Sequence, residues 1–388
     1  MMKVMICGAG IAGLTLAWWL ERAGAEVAVV ERAAAPRSDG YMMDFFGSGY
    51  DVAERMGILG ELREVAADIA ELTYADRRGR RVGGLRYASF QEMLGGRVLS
   101  LMRGDLEAVL RSALPRDLPI LYGTGIEAVH DVPSGVEVEL TDGTVRRADL
   151  LVGADGIHST VRRLVFGGEE AFLRSLGYHT VSYLFQDAEL AEEVGRRFVL
   201  VGVPDRQAGF YPTGNGALAA SLIHACPAMT LPTDPRAETL SVYRGLGPLV
   251  DRMLEQCPED PYYDYVAQIR MPTWSRGRVT LLGDAAHAVS LMAGQGSSMA
   301  MGGAHTLATE LLGADVGSAL ERYERRMRPF VLRKQAAGRS TAGWTVPHQA
   351  WRIALRNRLF GLADLPGGRP LMGHSLRRLG ASVVPSAG

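Results

Sequence analysis

An α/β fold follows from three observations on the sequence. Residues 3–7 (KVMIC) read as a buried strand that runs into a glycine-rich turn, a helix and a second strand. Two later apolar strands each end on a glycine–acid turn. Five segments between Gly177 and Met271 alternate apolar and polar residues and are separated by turn signals. The first two observations predict a parallel sheet wrapped by helices, and the third predicts an antiparallel sheet inserted into it. A chain of 388 residues is long enough for two packed lobes.

The first element is the most informative. After the strand comes Gly8-Ala9-Gly10-Ile11-Ala12-Gly13, then a helical pattern to Ala23, which Gly24 ends, and Glu26–Glu31 (EVAVVE) as a second strand. Strand, glycine turn, helix and strand is the context in which GxGxxG marks a dinucleotide site. Gly8 permits the tight turn, Gly10 lets a pyrophosphate approach the backbone, and Gly13 lets helix and strand pack closely. The helix start offers free N–H groups and a positive dipole end to phosphates. Glu31 stands 18 residues after Gly13 at the end of the second strand. A carboxylate there holds both ribose hydroxyls and repels a 2′-phosphate, so FAD or NAD is expected rather than NADP.

The second element is Asp149-Leu150-Leu151-Val152-Gly153-Ala154-Asp155-Gly156, a strand that ends in a glycine–acid turn. Ile157-His158-Ser159-Thr160-Val161-Arg162 then opens a helix with Ser159 placed to cap it. The third, Arg278 to His287 (RVTLLGDAAH), repeats strand, Gly-Asp and a small-residue turn. Ala293-Gly294-Gln295-Gly296-Ser297-Ser298 precedes another helix running to about Leu312.

Strand character covers Gly177–Phe185, Arg197–Val203, Gly209–Pro212, Gly216–His224 and Tyr262–Met271, with turns at Pro204-Asp205 and Gly214-Asn215-Gly216. Ala319–Gly338 and Thr345–Leu362 read as helices. From Ala319 onward 13 basic residues face 3 acidic ones, while the chain as a whole carries only -1. This predicts a basic helical segment resting on an acidic body. No nucleic-acid motif accompanies it, and neither a nucleic acid nor a membrane partner is expected. The most apolar run, Ile6 to Leu20, is too short to cross a bilayer and is broken by Gly8, Gly10 and Gly13, so a cytoplasmic protein is expected. Cys7, Cys226 and Cys257 lie far apart, and His158, His179 and His224 have no ligand-like spacing, so no disulfide scaffold or metal centre is predicted.

With GAGIAG plus Glu31-Arg32, GADGIHSTVR, and GDAAH followed by AGQG in that order, the chain resembles the single-component (class A) FAD-dependent aromatic hydroxylases, the para-hydroxybenzoate hydroxylase-like family. Its tetracycline-inactivating and polyketide-tailoring members are most similar in length and layout. The resemblance implies a Rossmann-type FAD-binding lobe made of residues 1–70, 97–170 and 273–310. It also implies a substrate lobe of 71–96 and 171–272 with an antiparallel sheet as pocket floor, and a helical segment over 311–388. It carries FAD contacts to Gly8, Gly10, Ala12, Gly13, Glu31, Arg32 near the adenine, Arg103 at the pyrophosphate, Ile126 at the adenine edge, Asp155, Asp284 at the ribityl hydroxyls, and Gly294, Gln295 and Gly296 at the pyrimidine ring. His287, beside the aspartate, is read as structural rather than as a general base. The family usually has proline between GDAAH and GQG; here Ala288-Val289-Ser290-Leu291-Met292 has none, which predicts a softer loop.

The pocket is expected to draw on Met42, Phe45 and Phe46, on Phe210, Tyr211 and Pro212, and on Met292, a set suited to a flat aromatic ligand. The resemblance further implies that NADH or NADPH binds transiently, and that dioxygen supplies one atom to an aromatic or polyketide-like substrate by way of a flavin hydroperoxide. Two other readings share the FAD motifs: an oxidoreductase that inserts no oxygen, and a non-catalytic FAD-binding accessory protein that sequesters an unstable ligand.

Overall fold

The computed structural model describes residues 1–36, 40–133, 135–213, 216–313, 315–363 and 381–384. The expected turn residues Gly214 and Asn215, and much of the chain after Ala363, lie outside the described residues. The fold is α/β, with a parallel sheet, a larger and mainly antiparallel sheet, and C-terminal helices.

The parallel sheet has the strand order Ser275–Arg276, Val279–Leu281, Leu150–Gly153, Lys3–Cys7, Glu26–Glu31 and Ile120–Tyr122. Only the short edge strand Ser275–Arg276 is antiparallel to its neighbour. Cys7 stands opposite Gly153, and Gly153 opposite Leu281. The carboxyl ends of the three motif strands are therefore level, and their turns leave from one edge of the sheet. Every residue from Ile11 to Trp18 of the helix Ile11–Arg22 is buried, because this helix is packed by the helix Gly296–Leu311 as well as by the sheet.

Glycine makes that edge possible. Gly8 has φ +110°, and a Cβ there would overlap the carbonyl oxygen of Ala154. A Cβ on Gly13 would overlap the carbonyl oxygen of Gly8. Gly283, at φ +63°, would bring a Cβ to 3.0 Å from the Cβ of Ala12. The first motif thus abuts the second through Gly8 and the third through Ala12.

The larger sheet runs in the order Tyr262–Ile269, Leu173–Phe185, Leu218–Ala225, Arg206–Pro212, Arg197–Val203, Glu71–Ala75 and Arg81–Arg86. All five expected strands are present, with boundaries shifted by a few residues. The sequence reading missed the strands Glu71–Ala75 and Arg81–Arg86, the first of which pairs parallel with Arg197–Val203. One face of this sheet is closed by a core containing Val181, Tyr183, Phe210, Leu222, Tyr243, Val250 and Met253, under the helices Pro235–Tyr243 and Pro248–Glu255. The other face looks toward the strand Met42–Phe46, which pairs with Val98–Met102. The long C-terminal helix spans Val316–Thr345; it starts earlier than expected because Asp315 caps it, accepting from Ser318 N–H at 3.0 Å, and it also ends later. Among the described residues no helix is long and apolar enough to cross a membrane.

The tightest of these contacts has a direct test. Gly13→Ala should destabilise the protein by about 3 kcal/mol, since neither backbone can yield without disturbing the sheet. Chemical denaturation of the FAD-free protein measures it; unchanged stability would contradict the packing described.

Candidate cofactor and substrate site

The helix Ile11–Arg22 starts at Gly10 with no side-chain cap and no acidic residue in its first turn, so the helix itself leaves its first N–H groups and positive end uncapped. Arg103 stands across from that turn. A Cβ on Gly10 would lie 3.5 Å from Arg103 Nη2 and 3.3 Å from Glu107 Oε1. Arg103 Nη2 pairs with the buried Glu107 Oε1 at 2.6 Å. Its backbone N–H donates to the Tyr41 carbonyl at 3.1 Å, which fixes the guanidinium beside the glycine turn.

Glu31 closes its strand with both carboxylate oxygens engaged. Oε2 accepts from Ala9 N–H at 2.9 Å and Oε1 from Ala33 N–H at 2.8 Å. This locks the acid against the glycine turn and leaves further lone pairs for a diol. Arg32 is exposed, with its Cγ 4.0 Å from the position a Cβ on Gly125 would take, so it shares a corner with Ile126, whose own side chain is buried in the core. Asp155 is committed locally. It accepts from Ser159 Oγ at 2.6 Å, Thr160 N–H at 2.7 Å and Val161 N–H at 3.1 Å, securing the helix Thr160–Val165. Ser159 caps that helix as expected, accepting from Arg162 N–H at 2.9 Å.

Asp284 begins the short helix Asp284–His287, and its side chain is open to solvent. Protein closes round it all the same: partial desolvation raises its carboxyl above the ordinary range, with Arg103 pulling the other way. A Cβ on Gly296 would lie 4.0 Å from Asp284 Oδ1, so this carboxylate sits at the start of the helix Gly296–Leu311. Gly294 takes φ +60° and is exposed, whereas Gln295 is buried. His287 is 2 % exposed, lies 4.8 Å from the Trp274 ring, and is pushed down to about 4 chiefly by burial. A neutral, enclosed imidazole fits a packing role.

The loop without proline is held by side chains. Ser290, at φ +85°, accepts from Met292 N–H at 3.1 Å through its hydroxyl. Gln268 Nε2 donates to the Val289 carbonyl at 3.1 Å, and Gln335 Nε2 to the Ala288 carbonyl at 3.1 Å.

Three groups beside the cleft were missed from sequence. Tyr41 and Tyr262 face each other with ring centroids 6.4 Å apart; desolvation raises the Tyr41 phenol, while Tyr262 keeps 48 % of its surface exposed. Nothing in their local sequence marks them. Lys334, one of only two lysines in the chain, is 4 % exposed and donates to Gln295 Oε1 at 3.2 Å. Its signal was a lone cation on the apolar side of a helix.

The expected pocket residues divide by strand alternation. Tyr211 faces Met42, Met102 and Phe198, and its hydroxyl accepts from Met42 N–H at 2.6 Å, joining the strand Met42–Phe46 to the larger sheet. Phe210, one residue away, is fully buried on the opposite face under the helices that cover the sheet. Phe45 is likewise turned from Met42 into the cofactor-lobe core, against Gly49. Phe46 stacks edge-on with Phe90, at 6.3 Å between centroids. Met292 joins Tyr178, Ile223 and Val266 on the same sheet face as Tyr211, and Pro212 is half-buried at the strand end. The structure therefore gathers Met42, Tyr211 and Met292 on the cleft side and does not bring Phe45 or Phe210 there.

Lys334 generates a pH prediction. Burial, helped by Arg333, pushes its ammonium down to about 8 from the ordinary 10.5. The unfolded chain holds this proton to higher pH, so charge burial costs folding energy in full below about pH 8, and the cost fades as pH climbs toward 10.5. Lys334→Met should stabilise the protein by up to about 3 kcal/mol near pH 7. The gain over wild type should shrink as denaturation is repeated toward pH 10; a pH-independent difference would contradict it.

Comparison with known proteins places this geometry. The pattern of a family described as FAD binding domain matches residues 1–336. An uncharacterized protein of Mycobacterium tuberculosis is 31% identical over 99% of both chains. A flavin-dependent monooxygenase of an unknown prokaryotic organism is 30% identical over 87% of this chain and 88% of its own. Among solved structures, tetracycline destructase Tet(51) superposes with a TM-score of 0.84 at 24% identity over the whole of both chains. Klebsiella pneumoniae HpxO complexed with FAD and uric acid gives a TM-score of 0.78 at 25% identity, covering 99% of this chain and 98% of that one. The chain belongs to the FAD-binding-domain family of class A flavin-dependent monooxygenases.

Proposed function

We propose that the protein holds FAD along the edge where the three glycine turns meet and uses NADH or NADPH and dioxygen to place one oxygen atom on a small aromatic or polyketide-like molecule. The observation that carries the reading is the convergence of an uncapped helix start at Gly10, the Arg103 guanidinium and the solvent-open Asp284 on one cleft. The donor set fits the cofactor. Gly10 and Arg103 suit a pyrophosphate, Glu31 a ribose diol, Arg32 and the Ile126 corner an adenine, and Asp284 a polyol chain. Gly294, Gln295 and Gly296 lead into a helix whose positive end suits an electron-rich ring that gains negative charge on reduction. Asp155 acts by holding the second turn in shape, through its three accepted hydrogen bonds.

When bound, FAD supplies the redox and oxygen chemistry. The chain supplies position and dryness. The face bearing Tyr211, Met42 and Met102 on one side and Met292, Tyr178 and Ile223 on the other forms apolar walls for a flat substrate. Exclusion of water by those walls protects oxygen transfer from hydrolytic loss. The aromatic substrate class also draws on the relatives, among them HpxO, solved with uric acid.

Two measurements test this. Arg103→Ala and Asp284→Ala should each weaken FAD binding at least about tenfold, one lost charged contact being worth 1.4 kcal/mol or more; full FAD occupancy in both would refute the cradle. Incubation with NAD(P)H, labelled dioxygen and a panel of phenolic and polyketide compounds should give product carrying one labelled oxygen. Substrate-dependent NAD(P)H oxidation without label would point to an oxidoreductase, and tight ligand binding without turnover to an accessory role.

A further inference from the structure

On the sheet face turned away from the cofactor cleft lies a polar cluster that the oxygenase reading does not use. Strand pairing places His179 directly opposite His224, and both imidazoles point into the otherwise apolar layer under the helix Pro235–Tyr243. They are 2 % and 4 % exposed, and Arg206 stands opposite His224 on the next strand with its guanidinium turned to the Val242 carbonyl of that helix, so the layer is apolar apart from this polar group. Cys226, a free and half-buried thiol, follows the end of the same strand as His224. One nitrogen of each imidazole and the Cys226 Sγ lie within 4.8 Å of one another.

The hydrogen bonds around the pair are directional. The Ala228 carbonyl, 3.2 Å from His179 Nε2, can only accept, so Nε2 carries the proton and Nδ1 presents its lone pair. That Nδ1 lies 3.2 Å from Tyr263 Oη. His224 mirrors it: Nδ1 is held by Tyr243 Oη at 3.0 Å, and Nε2 lies 3.3 Å from the same Tyr263 Oη. Each imidazole thus has its far nitrogen tied to an outer partner and its near nitrogen against the one Tyr263 hydroxyl. This is the arrangement by which outer groups orient histidine ligands on a metal. Metal–ligand bonds of 2.0–2.1 Å in a tetrahedron imply edges of roughly 3.3 Å. The two nitrogen-to-Tyr263 distances match such edges.

We propose that His179 Nδ1, His224 Nε2 and Cys226 Sγ, with Tyr263 Oη at the fourth vertex, form a binding site for a zinc(II) ion. Two imidazoles and a thiolate are a donor set that zinc prefers over magnesium or calcium, which seek oxygen. Binding expels the thiol proton to solvent and involves no redox step. The ion would tie the middle of the strand Leu173–Phe185 and the end of Leu218–Ala225 to the segment around Ala228 and, through Tyr243, to the covering helix. The site is independent of the cofactor cleft, so neither proposal stands or falls with the other.

The test uses the FAD-loaded protein after dialysis against a chelator. Zinc(II) alone should bind in a 1:1 ratio with release of protons. Cobalt(II) in its place should give tetrahedral ligand-field bands with a thiolate charge-transfer band. Cys226→Ser, at a position removed from the cleft, should abolish the charge-transfer band and weaken zinc at least about tenfold. In the unmodified protein Cys226 is the one thiol not buried, since Cys7 and Cys257 are enclosed; zinc should slow its reaction with a disulfide reagent at least about tenfold, whether or not the variant folds well. No saturable binding, binding indifferent to Cys226→Ser, or an unprotected thiol would each overturn the proposal, leaving a closed hydrogen-bond chain between two tyrosines and a carbonyl.

Discussion

The register of three short parallel strands governs everything else in this molecule. Lys3–Cys7, Leu150–Gly153 and Val279–Leu281 are far apart in the chain, yet Cys7, Gly153 and Leu281 stand side by side. A shift of one residue would turn the buried side chains to the wrong face and separate the turns. Glycine enforces the register from the other direction, because Gly8 meets Ala154, and Gly283 meets Ala12, at distances that leave no room for a side chain. Packing and the proposed cofactor contacts therefore make the same demand on the same residues, and a change there would damage both at once.

The features most legible in the sequence were those whose constraint is local. Close backbone approach at the first turn needs glycine at set spacings, as Gly8 and Gly13 show, and Glu31 falls at its strand end as expected. The helix start after Asp155 needs a capping serine, and Ser159 caps it in the structure. The loop between the third motif and the following helix was only half legible. Its lack of proline is plain, but beside its own Ser290 hydroxyl the stiffening comes from Gln268 and Gln335, 21 and 47 positions from the loop carbonyls they hold.

What the sequence hid were consequences of pairing. Tyr211 and Phe210 are adjacent aromatic residues of similar size, and only the sheet's orientation decides that one faces Met42 while the other is sealed beneath helices. Met42 and Phe45 part in the same way. The strand Glu71–Ala75 earns its place by lying parallel to Arg197–Val203, a partner more than a hundred residues on. His179 and His224 show no ligand-like spacing along the chain, and only the antiparallel register sets them opposite one another. Lys334 was visible as a rare residue type, but its contact with Gln295 depends on where the long helix crosses the loop.

The alternation of the large sheet has an evolutionary corollary. Residues such as Tyr211 and Ile223 line one side, whereas their immediate neighbours Phe210 and Leu222 anchor the other. Replacing every second residue re-contours the receptor wall without loosening the scaffold behind it. On the proposed function, residues of that side set ligand preference, whereas the glycine-packed edge is held by its own backbone contacts and admits no such variation.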